Sequence, residues 1–250
     1  MIGDSNILMA RMDDLVTKAI KTGVAVSKFL TPADAANVAE YFTNRRDISF
    51  CLDGGFVGAE RTRAVFTNPD WGEYERSEYF ASLKISYRLQ DTLGHRDILG
   101  ALMALGIKRE ALGDIIVGEG FSLLICLPDM VAYIIENLTK AGRVGLQILQ
   151  VNLDDVPPRE EELTVKTCTV ASLRLDAVLS AAFSISRTKA TELIATRQVS
   201  LNHHICEKND KEVSEDSLFS VRGMGRIKLL EIGGLSRKGR CFIKIGVYGR

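Results

Sequence analysis

Long apolar runs are missing from this sequence. The nearest to one, residues 121–127, falls far short of the ~20 residues that a membrane-spanning helix needs, so no membrane partner is expected. The opening MIGDSNILMARMDDL carries acids early and lacks a basic start leading into an apolar core. It does not read as a secretory signal, and it is too acidic for a transit peptide. The five cysteines (Cys51, Cys126, Cys168, Cys206, Cys241) are dispersed and never form a C-x-x-C pair. An odd, scattered set argues against a disulfide framework or a zinc site and for a reducing, cytoplasmic location. Signatures of catalysis are absent as well: there is no G-x-S-x-G, no H-E-x-x-H and no Walker sequence. His95-Arg96-Asp97 begins like a protein-kinase catalytic loop, but Leu102 stands where that loop needs Asn. No D-F-G triplet or glycine-rich nucleotide loop accompanies it. His95 and Asp97 are instead expected at a helix start, where an acid suits the dipole. His203-His204 lacks Cys or acid partners at metal spacing and reads as part of a turn. No enzymatic activity, metal or cofactor is expected.

What is present is an ordinary globular composition, 46% hydrophobic and 26% charged, over 250 residues. The formal net charge of zero hides a division. Residues 166–250 hold 15 Lys and Arg against 8 Asp and Glu, a net +7, whereas residues 1–165 hold 17 against 24, a net −7. A basic third joined to an acidic two-thirds is expected when one part of a protein meets a polyanion. The sharpest boundary is Val156-Pro157-Pro158-Arg159-Glu160-Glu161-Glu162, two prolines followed by a charge run.

The predicted fold class is α+β. Residues 1–82 read as an N-terminal α/β subdomain: a helix from Ser5 to Thr22, a second from Thr31-Pro32 to about Asn44, and strands around Ile48, Phe50 and Leu52 and over 63–67. Residues 83–156 follow the order β-α-β-β-α-β of a ferredoxin-like or RNA-recognition-motif-like sandwich, with helices expected over 95–105 and 129–140. Only Tyr87 and Phe121 are aromatic on its candidate strands, so base stacking is not expected of it. Residues 157–166 read as a linker and 167–250 as a basic domain. That domain is expected to contain a helix pair and a small sheet, with strands at 218–221, 227–232 and 242–247 and a turn at Gly233-Gly234.

The basic domain opens with RLDAVLSAAFSISRTKATELIATRQVSLN, residues 174–202. Leu175, Val178, Leu179, Ala182 and Phe183 form one apolar stripe. Ser186 is placed to cap a second helix, whose inner face is Ala190, Leu193 and Ile194. Arg187, Lys189 and Arg197 then form an outer charged surface with Thr188 and Thr191, and a strand starts at Val199. Arg and Lys supply the phosphate-neutralising charge that dominates nucleic-acid affinity. Arg187, Lys189 and Arg197 are therefore the leading candidate RNA contacts, with Arg174 near the helix start and neutral hydrogen bonds from Thr188 and Asn202. Arg174 reads equally as a partner of a nearby carboxylate. The loop Arg222-Gly223-Met224-Gly225-Arg226, with Lys228 beyond it, and the loop Arg237-Lys238-Gly239-Arg240 add Arg222, Arg226, Lys228, Arg237, Lys238 and Arg240.

Residues 174–221 resemble the S-four RNA-binding domain, through Arg174-Leu175-Asp176, Ser186-Arg187, Lys189-Ala190, Ile194, Val199 and Leu201-Asn202. Two departures concern turn geometry: the pattern usually has Gly where Arg197 stands and Asn-Gly where Asn202-His203 stands. The whole chain resembles the YlmH family of bacterial S-four proteins, encoded near cell-division genes. The resemblance runs through FLTPADAA (29–36), DGGFVGAER (53–61), GHRDILGALMALGIKRE (94–110), GDIIV (113–117) and RGMGR (222–226). It implies a protein that binds ribosomal RNA of the large subunit, with peptidyl-tRNA and ribosomal proteins nearby, in ribosome-associated quality control after a stalled ribosome has split. An RNA-modifying enzyme is the first alternative, because S-four domains are often appended to such enzymes. It would need a catalytic Asp in a Gly-Arg-Leu-Asp setting or a cofactor loop fuller than Asp53-Gly54-Gly55. A cell-division scaffold is the second.

Overall fold

The computed structural model describes residues 2–159 and 163–249. The chain divides into two compact units, Met1–Arg159 and Glu160–Arg250.

In the first unit, α1 (Ile2–Thr22) is followed by Gly23, whose φ of 88° turns the chain into β1 (Val24–Val26), a strand not predicted. Helix α2 (Pro32–Phe42) starts as its sequence predicts. Thr31 Oγ1 accepts the Asp34 N–H at 3.1 Å, and Pro32 sits where its missing N–H costs nothing. With β2 (Ser49–Asp53) and β3 (Arg63–Thr67), β1 forms an antiparallel sheet in the order β1-β3-β2. Met12, Val16 and Ala19 of α1 and Val38 and Phe42 of α2 cover Ala64 and Phe66 of that sheet. The Phe42 ring meets Phe66 edge-on at 4.9 Å, and burying Phe66 contributes about 2–3 kcal/mol.

The turn Asp53-Gly54-Gly55 after β2 is a packing device. The buried Asp53 carboxylate accepts the Gly55 N–H (2.8 Å), the Tyr74 hydroxyl (2.9 Å) and Arg76 Nε (2.8 Å). A Cβ on Gly54 would lie 2.2 Å from that of Ala59, so the space a cofactor loop would offer is already filled.

After the short α3 (Arg76–Tyr79) comes the sandwich: β4 (Ala81–Ser86), α4 (His95–Ala104), β5 (Leu112–Val117), β6 (Phe121–Cys126), α5 (Val131–Asn137) and, beyond a hairpin of β7 (Lys140–Ala141) and β8 (Val144–Gly145), β9 (Gln147–Val151). Its sheet runs β5-β6-β4-β9 with every neighbouring pair antiparallel, the ferredoxin-like order. Helix α4 begins at Gly94, whose N–H donates to the Asp97 carboxylate at 2.8 Å, so the kinase-like triplet is a helix cap. The second helix is shorter than predicted, because a 3-10 turn at Pro128–Met130 precedes it and the hairpin takes up residues 140–145.

One face of this sheet packs under the helices: Leu83, Ile85, Leu124 and Cys126 meet Ile98, Leu102 and Ile134. Burial pushes the Cys126 thiol up to about 12. On the other face, Leu123 and Ile125 lie under Phe29, Phe56 and Phe80. The aromatic left on that face is Phe121, with the Lys84 ammonium 5.0 Å over its ring. The face on which RNA-recognition motifs stack bases is thus largely roofed by this unit's own side chains.

The second unit is an antiparallel sheet in the order β10-β15-β14-β13-β11-β12 with two helices. Its elements are β10 (Leu163–Val170), α6 (Leu175–Phe183), α7 (Arg187–Ala195), β11 (Val199–Leu201), β12 (His204–Ile205), β13 (Leu218–Val221), β14 (Gly225–Leu235) and β15 (Cys241–Tyr248). Val178, Leu179, Leu193 and Ile194 of the helices pack on Phe219, Ile227, Leu229, Ile243 and Ile245. Two sequence expectations need correction. Residues 163–166, expected in a linker, belong to β10, which pairs with β15 along its whole length; residues 160–162 of that expected linker lie outside the described residues. Gly233-Gly234, expected as a turn, lies inside β14 at a register shift between Ile232 and Leu235, where a bulge absorbs the extra residue. The chain reverses instead at Ser236–Arg240, closed by the Ser236 N–H on the Arg240 carbonyl at 2.7 Å.

Candidate nucleic-acid interface

The predicted contact residues cluster around the α6–α7 corner and the loops of the second unit. Arg174 is the N-cap residue of α6, and Asp176 in the first turn is buried. Asp176 accepts Arg174 Nε at 3.3 Å and Arg187 Nη2 at 2.8 Å. Burial pushes this carboxyl up, but the hydrogen bonds and charges of Arg187 and Arg174 outweigh it and hold the carboxyl below its ordinary value. Arg174 and Arg187 are therefore both tethered to one buried acid, which fixes the start of α7 against the start of α6. Ser184, in the left-handed region at φ 54°, ends α6, and Ser186 accepts the Lys189 N–H at 3.1 Å to open α7. Arg187 and Lys189 then lie in the first turn of α7, which carries no acid of its own. Cations at the positive end of a helix dipole are unfavourable there, and an incoming phosphate would relieve both. Thr188 is exposed beside them, and Lys189 pairs with Glu192 at 3.0 Å.

The two turn positions that depart from the S-four pattern keep the geometry that glycine would favour. After α7, the Arg197 N–H bonds the Ile194 carbonyl and the Gln198 N–H the Leu193 carbonyl, both at 3.0 Å. This double closure places its left-handed residue at Arg197, with φ 59°. Asn202 (φ 49°) and His203 (φ 68°) make the two-residue turn between β11 and β12, which requires positive φ at both positions. Asn202 is also pinned to the sheet, because its Oδ1 accepts the Leu218 N–H at 2.8 Å.

Five of the ten predicted cations line one of two depressions. A depression of about 550 Å³ is lined by Arg197, Arg222 and Arg226 with Gln198, Ser200 and Ser220. Gly223 (φ 79°) and Gly225 (φ 109°) shape its loop, and a Cβ on either would meet no atom within 4 Å, so open space lies beside that backbone. Arg226 stacks over Tyr248 at 4.9 Å, and Arg197 pairs with Glu207 at 3.0 Å. A second depression, of about 370 Å³, joins Arg187 to Arg240, whose guanidinium is held by the Thr169 carbonyl at 2.7 Å. Arg174, Lys189, Arg237, Lys238 and Lys228 line neither depression, and Lys228 pairs with Asp216 at 3.5 Å. Gln198, Ser200, Ser220 and Thr169 were missed in the sequence, where nothing but strand register could have placed them beside the arginines.

A helix pair set on an antiparallel sheet, with arginines gathered at the ends of its loops, defines a protein built on an RNA-binding module of the S-four type. Comparison with known proteins agrees. Residues 173–218 match the S4 domain, residues 77–155 match the putative RNA-binding domain in YlmH, and residues 6–71 match the YlmH N-terminal domain. A "Ribosome-associated protein quality control protein P2" of Bacillus subtilis (strain 168) is 32% identical over 216 residues, spanning 85% of this chain and 83% of its own. The chain belongs to the YlmH family. The solved structure of the cell division protein ylmH from Streptococcus pneumoniae, at 17% identity, covers 62% of this chain and 95% of its own with a TM-score of 0.52, a likeness of fold. No helix among the described residues is long and apolar enough to cross a membrane.

Proposed function

We propose that this protein binds structured ribosomal RNA of the large subunit through residues 167–250, as a cytoplasmic factor in the quality control of stalled ribosomes, beside peptidyl-tRNA and ribosomal proteins. The observation that carries the proposal is the convergence of Arg197, Arg222 and Arg226 on one open depression whose backbone is freed by two glycines. Its mechanism is phosphate neutralisation and recognition of folded RNA by shape. The Bacillus subtilis relative, named for ribosome-associated quality control, supports the setting. A binding role without catalysis fits the state of the candidate catalytic groups. Asp176, the aspartate of the Arg-Leu-Asp stretch, is buried under two guanidiniums rather than free to attack a base. The glycine turn at 53–55 is filled by its own neighbours.

The test is co-sedimentation of the full chain with isolated large subunits. Arg222→Glu with Arg226→Glu should weaken binding at least tenfold at physiological salt, and the slope of log affinity against log salt should become shallower by about 1.4–1.8. Undiminished, salt-insensitive binding by the double variant would overturn the proposal.

A further inference from the structure

The first unit is acidic as a whole, yet it holds a large basic cleft. A cavity of about 1040 Å³ lies between α1, the segment leading into α2, and the 3-10 turn at Arg109–Ala111. Six cations line it: Arg11, Lys18, Lys28, Arg61, Lys108 and Arg109. Against them stand Asp14, Asp34 and Glu110, the last paired with Lys28 at 2.5 Å. The volume lies at the upper end of the about 300–1,000 Å³ usual for ligand pockets, far more than one phosphate or one carboxylate fills.

Its floor has an unusual construction. Arg61 donates Nε to the Leu112 carbonyl (3.0 Å) and Nη2 to the carbonyls of Phe29 (3.3 Å) and Arg109 (3.2 Å). Arg109 donates Nη1 to the carbonyls of Leu112 (2.8 Å) and Gly113 (2.9 Å). Two half-buried guanidiniums thus share the Leu112 carbonyl, and among the described residues neither is hydrogen-bonded to a carboxylate. The neighbouring acid, Asp114, spends its oxygens on the backbone N–H groups of Glu60 (2.7 Å) and Arg61 (3.1 Å). Burial lowers the affinity of both guanidiniums for their protons, Arg109 to about 10, with the charge of Arg61 adding to the effect, so both remain charged near neutral pH. Like charges fixed together by backbone carbonyls, with donors left over, are a preorganised receptor for an anion with several oxygens.

We infer that this cleft binds the phosphodiester backbone of a single RNA strand, as a second nucleic-acid site apart from the S-four surface. Phosphate is favoured over the carboxylates of an acidic peptide by where RNA binding can reside in this unit. The family description for residues 77–155 is a putative RNA-binding domain, yet the stacking face of its sheet lies largely under Phe29, Phe56 and Phe80. Lys108 and Arg109 belong to that same segment and open into the cleft. Lys18 and Arg11, two turns apart on α1 and about 10 Å along its axis, add charge from another wall, as an extended polyanion needs.

The experiment uses the full chain carrying Arg222→Glu and Arg226→Glu, so that the S-four surface is weakened, and measures binding of fluorescein-labelled hexauridylate by anisotropy. Lys18→Glu with Lys108→Glu tests the cleft. Both lysines are exposed, neither side chain makes a hydrogen bond or close ion pair among the described residues, and Lys108 acts on Glu110 only through its charge, so a nearly unchanged thermal melt is expected. Hexauridylate should bind the parent chain and lose at least tenfold in affinity with the cleft pair. Absence of binding to the parent, or binding indifferent to the cleft pair, overturns the inference. Uridine monophosphate binding as tightly as the hexamer would make the cleft a mononucleotide site and also overturn it, as would a hexaglutamate peptide that displaces the RNA at equal concentration. If Arg222→Glu and Arg226→Glu do not weaken ribosome binding while the cleft pair abolishes hexauridylate binding, the S-four proposal falls and the cleft stands.

Discussion

Two residues in the second unit carry opposite kinds of cost. Arg197 holds a left-handed φ of 59° at a helix end where glycine would be unstrained, and it lines the basic depression. Strain kept at a side chain that faces a binding surface is the arrangement expected when function outweighs stability. Arg197→Gly should therefore stabilise the protein by about 1 kcal/mol in urea unfolding, while weakening RNA binding several-fold. A variant that gained no stability would show that the corner is not strained. Asp176 is the reverse case, a buried acid that secures two cations. Asp176→Asn should cost about 1–3 kcal/mol, the worth of hydrogen bonds to charged groups. The sign with pH follows from its depressed carboxyl value. The contribution is complete above the ordinary aspartate value of about 3.9 and disappears as pH falls through the lower folded value. The stability difference between wild type and Asp176→Asn should thus stay constant from neutral pH to about 5 and close only in stronger acid. A difference already lost at pH 6 would rule out the ion pairs as its source.

At the scale of elements, what could be read in the sequence was whatever local chemistry dictates. The cap at Thr31-Pro32, the cap at Ser186, the stripe from Leu175 to Phe183 and the strand at 218–221 each follow from residues within a few positions of one another. The elements that escaped depend on distant partners. Strand β10 reads Leu-Thr-Val-Lys-Thr-Cys-Thr-Val: its Thr and Val residues suit a strand, but it is exposed over much of its length and has no sustained apolar alternation to mark it, so its pairing with β15 is what places it in the sheet. Gly233-Gly234 has the composition of a turn, but the ladder to β15 resumes beyond it, so the pair forms a bulge. The turn at Asn202-His203 departs from the S-four pattern by losing a glycine, yet the chain still reverses there, with Asn202 Oδ1 tied to Leu218. The candidate site divides in the same way. The arginines at 187, 197, 222 and 226 stand out in a basic stretch, whereas Arg61 and Arg109 lie 48 residues apart within an acidic one and meet only in the fold.

For the whole molecule, a formal charge of zero and a sequence pI near 6.8 describe neither half. The basic C-terminal third should dominate encounter with RNA, since exposed charges are felt over about one Debye length, roughly 8 Å at physiological salt. Ribosome binding is expected to fall steeply with salt, with Arg222 and Arg226 accounting for part of the slope. The cleft of the first unit adds an anion receptor where bulk charge would predict none, so the local sign of the surface departs from the average of the sequence. Measuring the salt slope separately for whole subunits and for hexauridylate resolves the two contributions.

The buried thiol on β6 gives the protein an internal clock. Thiol reagents attack the thiolate, and Cys126, with its value pushed up to about 12, presents about a thousandth of the thiolate of an ordinary cysteine at neutral pH, before occlusion is counted. Cys51 of the same unit is exposed and should be alkylated first. Mass spectrometry of the alkylated peptides over time would then date each opening of the ferredoxin-like sheet by the appearance of label on Cys126. Labelling of Cys126 as fast as Cys51 would mean that this layer breathes on the timescale of the reagent.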